Sequence, residues 1–531
     1  MRPPTPQFWG SRPPLTACLR FAARRELSPN SGGVRQAGYQ ESPPGPYGSH
    51  MGQQRATAMQ ISETIAAIAT PPGEGGIAVV RVSGVRAVAV AGALFRPVRG
   101  GEPTGFGGYT VHYGRFVDPE HGEPLDDGLL TVFRAPHSYT GDDVAELACH
   151  GGAATTRRLL GAVLRAGARL AEPGEFTQRA FLYGRIDLAQ AEAVADLIRA
   201  RTESAQRMAL RQLDGALSGA VRQMRDSLIG ILAAIEVTID FSDEVGDLDH
   251  GALLPRIRDV RREVEALLET ADRGRILREG LRVALVGRPN VGKSSLFNAL
   301  LRADRAIVTA QPGTTRDRLE ETVSIAGAPV TLVDLAGLRD TDDLVERAGV
   351  ERALSAVEQS DLVLLVLDAS AGVTEEDRAI AYRLRTVPAS RLSIVVNKRD
   401  AAEAEALSAA MALAAKLVDA RDIVAVSALN GEGLPELERS LRRAIFGGED
   451  GKDADAIAFE TTVVSSARHR AALEEALASL REAERTAEER LPGDFIAIDA
   501  RGALDSLGLI TGETVTDDIV HRVFRDFCVG K

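Results

Sequence analysis

Nine consecutive residues carry the clearest chemistry in this chain: Gly287-Arg-Pro-Asn290-Val291-Gly292-Lys293-Ser294-Ser295. The spacing G-x-x-x-x-G-K-S, set between the strand-like Val283-Ala-Leu-Val286 and the helical Leu296-Phe-Asn-Ala-Leu300, is that of a loop that wraps phosphate. Its glycines let the backbone close and turn N–H groups toward an anion. Lys293 supplies a point charge for β- and γ-phosphates, and the Ser294 hydroxyl can ligate Mg2+. Asp334-Leu335-Ala336-Gly337 ends a later apolar run and offers a carboxylate to the Mg2+ shell and a glycine N–H to the γ-phosphate. Between the two, Gly313-Thr314-Thr315-Arg-Asp317 supplies hydroxyls, of which Thr315 is expected to complete the metal shell. Asn397-Lys398-Arg-Asp400 follows, and the Asp400 carboxylate can accept two hydrogen bonds from the N1–H and 2-amino edge of guanine. Adenine lacks that donor pair, so the set selects GTP over ATP. Ser427-Ala428-Leu429 completes the base pocket.

Two features depart from a simple nucleotide switch. Leu338 follows Gly337, where the glutamine that orients an attacking water usually stands, so another group must place the water. Asn290 has a side-chain carbonyl that can either hold a monovalent cation near the β/γ bridge or merely stabilise the loop. At the far end, Cys528-Val529-Gly530-Lys531 is not a prenylation box. Taken alone it reads as a frayed tail, with a reactive thiol as the sharper alternative.

These groups need elements to hold them. At 531 residues the chain is long enough for three or four folding units. Runs at 283–286, 331–333, 362–367, 394–396 and 423–426 alternate with helical segments, which predicts a doubly wound α/β domain over residues 280–447. Before it, residues 59–177 show short apolar runs such as 77–82 and 129–133 between Gly and Pro turns, as expected of a compact α+β domain. Residues 178–279 and 448–531 read as helical, with Ala191, Val194, Leu197 and Ile198 as a sample apolar stripe. An α/β domain inserted into a discontinuous helical one is the expected architecture.

Residues 1–58 carry Pro pairs, the only tryptophan and little periodicity, so they read as a disordered leader or a misassigned start. Their seven arginines face only Glu26 and Glu41, a balance also found in organellar transit peptides. The rest is therefore more acidic than the formal net charge of −12 suggests, which argues against coating nucleic acid by bulk charge. No apolar run reaches membrane-span length, and three scattered cysteines, Cys18, Cys149 and Cys528, suit a reducing cytoplasm. Only five lysines occur, at 293, 398, 416, 452 and 531, and three of them fall in the motifs above.

The nucleotide motifs combine with Thr64-Ile-Ala-Ala-Ile-Ala-Thr-Pro-Pro-Gly-Glu-Gly-Gly76, with Tyr139-Thr-Gly-Asp-Asp-Val-Ala-Glu-Leu147, with Pro173-Gly-Glu-Phe-Thr-Gln-Arg-Ala-Phe181 and with the terminal Cys-Val-Gly-Lys. Together these resemble the tRNA modification GTPase MnmE (TrmE) family of TrmE-Era-EngA-YihA-Septin-like GTPases, over residues 60–531. The resemblance implies an N-terminal tetrahydrofolate-binding domain that also dimerises, a split helical domain and an inserted Ras-like GTPase domain. It implies a cytoplasmic homodimer that forms a heterotetramer with the FAD-dependent MnmG protein. Together they add an aminomethyl or carboxymethylaminomethyl group to C5 of wobble uridine U34 of certain tRNAs, with the carbon drawn from a methylene-tetrahydrofolate.

Carried onto this sequence, the family's nucleotide loop covers Thr309-Ala310-Gln311-Pro312-Gly313-Thr314-Thr315, and its K+ site falls on Asn290, Thr309, Gln311 and Thr314. Its catalytic glutamate falls on Glu346, otherwise read as a solvated helix charge, and Cys528 is a candidate thiol. The 5,10-methylene- or 5-formyl-tetrahydrofolate site falls on Arg81, Glu146, Arg185 and Lys531. Leu335 stands where the family often has Thr, and Arg185 can replace a lysine while keeping an anion contact. The competing reading is a regulatory GTPase switch in ribosome assembly or stress signalling with no direct role in chemistry.

Overall fold

The computed structural model of the chain describes residues 63–303, 320–334, 356–446 and 462–531. The leader, the loop 309–315, Leu335, Ala336, Gly337 and Glu346 lie outside the described residues.

The first described unit is a seven-stranded sheet backed by two helices. Its elements are β1 (Ile65–Ile68), β2 (Gly75–Ser83), α1 (Ala87–Leu94), β3 (Phe95–Pro97), β4 (Thr110–Val117), β5 (Pro124–Phe133), β6 (Val144–Gly151), α2 (Ala153–Arg165) and β7 (Arg169–Leu170). The order is β3-β4-β5-β6-β2-β1-β7, antiparallel except where β1 meets β7. Because side chains alternate along a strand, Val80, Val82, Ala145 and Leu147 bury on one face against Val88, Leu94, Leu159 and Val163 of the helices. The β2–β6 register then sets Arg81 opposite Glu146 on the other face.

Seven helices follow: α3 (Glu175–Leu182), α4 (Leu188–Arg199), α5 (Glu203–Leu213), α6 (Ala216–Asp240), the short α7 (Ser242–Val245), α8 (His250–Leu268) and α9 (Ala271–Glu279). α3 crosses residue 177, where the sequence suggested a boundary. Next comes the α/β unit, with β8 (Leu281–Val286), α10 (Lys293–Ala303), β9 (Glu320–Ile325), β10 (Ala328–Asp334), β11 (Leu362–Asp368), α11 (Glu375–Arg383), β12 (Leu392–Asn397), α12 (Ala404–Ala414), β13 (Asp422–Ala425) and α13 (Leu434–Phe446). The chain closes with α14 (Ala467–Glu488), α15 (Gly493–Thr511) and α16 (Asp517–Arg525).

The second sheet runs β13-β12-β11-β8-β10-β9 and is parallel except for β9, an antiparallel edge absent from the sequence reading. All seven residues of β11 are buried, as a central strand covered on both faces requires. β9 escaped notice because Val323 and Ile325 alternate with polar residues, so it presents only half an apolar pattern. Helices from both sides of this unit share one core: Val221, Leu228 and Ile235 of α6 meet Ile257 and Val264 of α8, Leu473 and Leu480 of α14, and Ile496 and Leu507 of α15. The helical part is thus one bundle interrupted by the α/β unit. Met208, Ile276, Leu277 and Val463 extend the core of the second sheet into that bundle.

The apolar stripe expected on α4 is only half right. Ala191 and Val194 bury against Val520 and Phe524 of α16, but Ile198 is 47% exposed. Glu192 and Asp196 are buried in its place. Glu192 takes Arg468 Nε and His469 Nε2, each at 2.8 Å, and Asp196 takes Arg278 Nε at 2.8 Å. Burial would push the Glu192 carboxyl up, yet its contacts with His469 and Arg468 outweigh that and hold it well below the usual carboxylate range. Among the described residues, no helix is long and apolar enough to cross a membrane.

Candidate functional site

β8 delivers the chain to the phosphate loop at the carboxyl edge of the second sheet, and α10 leaves it with its N-terminus facing the loop. Lys293 is buried and its Nζ donates to the carbonyls of Gly287 (2.6 Å) and Arg288 (2.9 Å), so the ammonium is held across the loop. Asn290 has a φ of 64°, a left-handed conformation that asparagine tolerates better than most residues. Gly292 also has positive φ, +94°, and a Cβ there would lie 2.3 Å from Asn397 Nδ2, so only glycine suits the position. Ser294 Oγ donates to Asp334 Oδ2 at 3.0 Å. That contact joins the hydroxyl and the carboxylate expected to share a metal, both hard oxygen donors suited to Mg2+.

The base end is equally well knit. Asn397 is buried at the end of β12; its Nδ2 donates to the Val291 carbonyl (2.8 Å) and its Oδ1 accepts from Ala428 N (3.1 Å). One side chain therefore ties the phosphate loop to the 427–429 loop. Ser427 Oγ donates to Asp400 Oδ1 at 2.5 Å, aiming a carboxylate that is itself exposed, while Leu429 is 86% exposed. Lys398 Nζ pairs with Asp368 Oδ2 at 2.7 Å, a partner that no sequence motif pointed to. Asn290, Val291, Gly292, Lys293, Ser294, Ser295, Asp334, Asn397, Lys398, Asp400, Ser427, Ala428 and Leu429 thus all lie at one edge of the sheet, in its loops, at the start of α10 or at the ends of β10 and β12.

A second cluster lies on the first sheet. Arg81 Nε donates to Glu146 Oε1 at 2.9 Å, and its Nη1 reaches the Gly530 carbonyl at 3.4 Å. The Arg81 guanidinium sits 5.7 Å from the Phe176 ring and 5.8 Å from the Tyr139 ring, and Tyr139 Oη bonds Thr177 Oγ1 at 2.9 Å. Gly530 is buried with a φ of +97°, and a Cβ there would meet the Ile68 carbonyl oxygen at 2.3 Å. The last residues are therefore docked, not frayed as the tail alone suggested. Burial, and then the charge of Arg81, push the half-buried Lys531 ammonium below its ordinary pKa. Cys528 is exposed, and its carbonyl accepts from Gly174 N at 3.4 Å. Arg185 stands apart from this group; it is exposed and donates to the Pro136 carbonyl at 3.5 Å, on the loop that leads to Tyr139. Tyr139 and Phe176 lie in motifs quoted above, but nothing in their spacing marked them as neighbours of Arg81.

Two family descriptions match the chain: "GTP-binding protein TrmE N-terminus" over residues 64–185 and "MnmE helical domain" over 188–528. A protein named tRNA modification GTPase MnmE from Moorella thermoacetica is 48% identical over 471 residues, covering 89% of this chain and 100% of that one. The chain belongs to the MnmE family. Proteins of the same name from Enterococcus faecalis and Heliobacterium modesticaldum are 46% and 45% identical, covering 88% and 89% of this chain and 98% and 100% of theirs. The MnmE relatives thus match along essentially their whole length, both sheets and the helical bundle included.

Proposed function

We propose that this chain is the K+-activated GTPase of a complex that modifies wobble uridine U34 of certain tRNAs, working with an FAD-dependent partner, MnmG. Membership of the family makes it a GTP hydrolase of tRNA modification. The finer chemistry is our reading. Asn290, with Thr309, Gln311 and Thr314, would hold K+; Ser294 and Thr315, with Asp334, would hold Mg2+. Bound there, the two cations would neutralise the charge that develops on the β- and γ-phosphates. Glu346 would orient the attacking water in place of the missing glutamine. Arg81, Glu146, Arg185 and Lys531 would hold a reduced folate, whose amino-pyrimidine edge suits a carboxylate and whose glutamate tail suits cations. That folate would supply the one-carbon unit, to be joined to C5 of U34 as part of an aminomethyl or carboxymethylaminomethyl group, with Cys528 nearby as a candidate thiol. The working form would be a cytoplasmic homodimer paired through the 59–177 domain.

The observation that carries this reading beyond a nucleotide switch is the tail: Gly530 docks on Arg81, beside Glu146, where a switch needs no such cluster. The deciding experiment is mass spectrometry of U34 in a deletion strain. Loss of the modification, restored by the wild-type gene and not by Glu346→Ala, is expected; an unchanged U34 overturns the reading. Purified protein should also hydrolyse GTP several-fold faster in KCl than in NaCl, and equal rates would remove the cation role of Asn290.

A further inference from the structure

Arg288 is a charged residue of the phosphate loop to which the motif gives no role. Its side chain is only 17% exposed and faces two buried carboxylates. Nε lies 3.3 Å from Asp377 Oδ2, whose side chain is fully buried, and Nη2 lies 3.9 Å from Asp368 Oδ2. That same Asp368 oxygen takes Lys398 Nζ at 2.7 Å. One carboxylate at the end of β11 therefore faces a cation from the phosphate loop and a cation from the guanine loop.

Both acids are held in place from behind. Asp368 Oδ1 accepts from Ser370 N (2.9 Å) and Ser370 Oγ (2.6 Å), and Asp377 Oδ2 accepts from Thr374 N (2.9 Å) and Thr374 Oγ1 (2.8 Å) in the capping box of α11. Burial would raise the Asp368 carboxyl, but Lys398 and the Ser370 donors outweigh it and keep it below its ordinary value. The arrangement is costly. Among the described residues, Arg288 Nε and Nη2 and Asp377 Oδ1 are buried without hydrogen-bond partners, and half-satisfied buried charges generally cost more stability than an apolar packing of the same volume. Its value must lie in geometry.

We propose that Asp368, backed by Asp377, is a positioning residue that fixes the phosphate loop and the guanine loop at one spacing, so that phosphate and base are recognised together. This rests on reading this edge of the sheet as the GTP site. It adds a charge bridge to the direct Asn397–Val291 link described above.

A double-mutant cycle on the full-length chain tests it, with a fluorescent GDP as the probe. Arg288→Met and Lys398→Met change different loops and are each expected to weaken GDP binding about five- to tenfold. The double variant is expected to be at most about twofold weaker than the worse single, because both act through Asp368. Losses that multiply would overturn the bridge, since two local effects in separate loops add in free energy. Asp368→Asn should reproduce the loss, with KM for GTP raised and kcat at saturating GTP nearly unchanged. A fall in kcat with KM unchanged would equally overturn a positioning role. Lys398→Arg, which keeps a cation on Asp368, should bind GDP within about twofold of wild type, and a loss as large as that of Lys398→Met would overturn the bridge; Asp368→Asn serves where Lys398→Met does not fold. No GDP binding by the wild-type chain would instead sink the GTP-site reading itself.

Discussion

Lys293 and Lys531 are two of only five lysines in the chain, and they reach their sites by different routes. Lys293 lies in a continuous run whose own carbonyls, at Gly287 and Arg288, hold it. Lys531 is brought to Arg81 by a tail that is separated from it by almost the whole chain, the Arg81–Gly530 contact joining residues 449 positions apart. A phosphate is wrapped by backbone N–H groups, and only consecutive residues can present several of those to one anion. The Arg81 cluster is built from side chains, which need no adjacency in sequence, only a sheet register and a docked end. The phosphate-wrapping part of the first site is therefore local in sequence, although Asn397, Lys398 and Asp400 join it from a later strand; the second depends on how the tail docks.

The largest effect should come from the first site. Gly292→Ala strains a left-handed residue by about 1–3 kcal/mol and disturbs the Asn397–Val291 hydrogen bond, itself about 1 kcal/mol, so GTP binding should weaken on the order of 100-fold. Titration with a fluorescent GDP measures this, and reduced-folate binding should not change; loss of both would show that the sites are not separate. Arg81→Ala comes next. It removes the Glu146 ion pair and the contact with Gly530, charged hydrogen bonds of about 1.5–3 kcal/mol, so calorimetry with a reduced folate should read roughly 10- to 100-fold weaker binding while GTP hydrolysis persists. Intact folate binding would remove Arg81 from the pocket.

The smallest effect is one of pH. Burial and the charge of Arg81 lower the Lys531 pKa from its ordinary 10.5, so the native ammonium gives up its proton before an unfolded one would. Two consequences follow in the alkaline range between the lowered value and 10.5. Tail docking becomes more favourable as pH rises, because the unfolded chain then binds more protons than the native one. The attraction for a folate anion fades over the same interval, by less than about tenfold. Lys531→Arg should flatten that part of the binding profile, and an unaltered profile would mean that the ammonium does not face the ligand.

Legibility followed the same division. β8, β10, β11, β12 and β13 announced themselves as apolar runs, and the loops at their ends were readable because each motif is short and contiguous. β9 and the true inner face of α4 were not. Glu192 is buried because Arg468, 276 residues away, comes back to meet it, and a carboxylate's own sequence neighbourhood says nothing of such a partner. Asp368 hides for a similar reason: at the end of an apolar strand it looks like a stop signal, and its link to Lys398 exists only once β11 and β12 lie side by side.

Sequence alone therefore determined the nucleotide chemistry, the order of the domains and the interruption of the helical part, because periodicity and backbone-built loops are local properties. Tertiary structure decided which distant charges meet: Arg81 with Glu146 across two strands and with Gly530 from the tail, Asp368 with Lys398, and Glu192 with Arg468 and His469. A buried ion pair offsets its desolvation only in close, well-hydrogen-bonded contact, and contact between residues far apart in sequence is set by the packing of the chain.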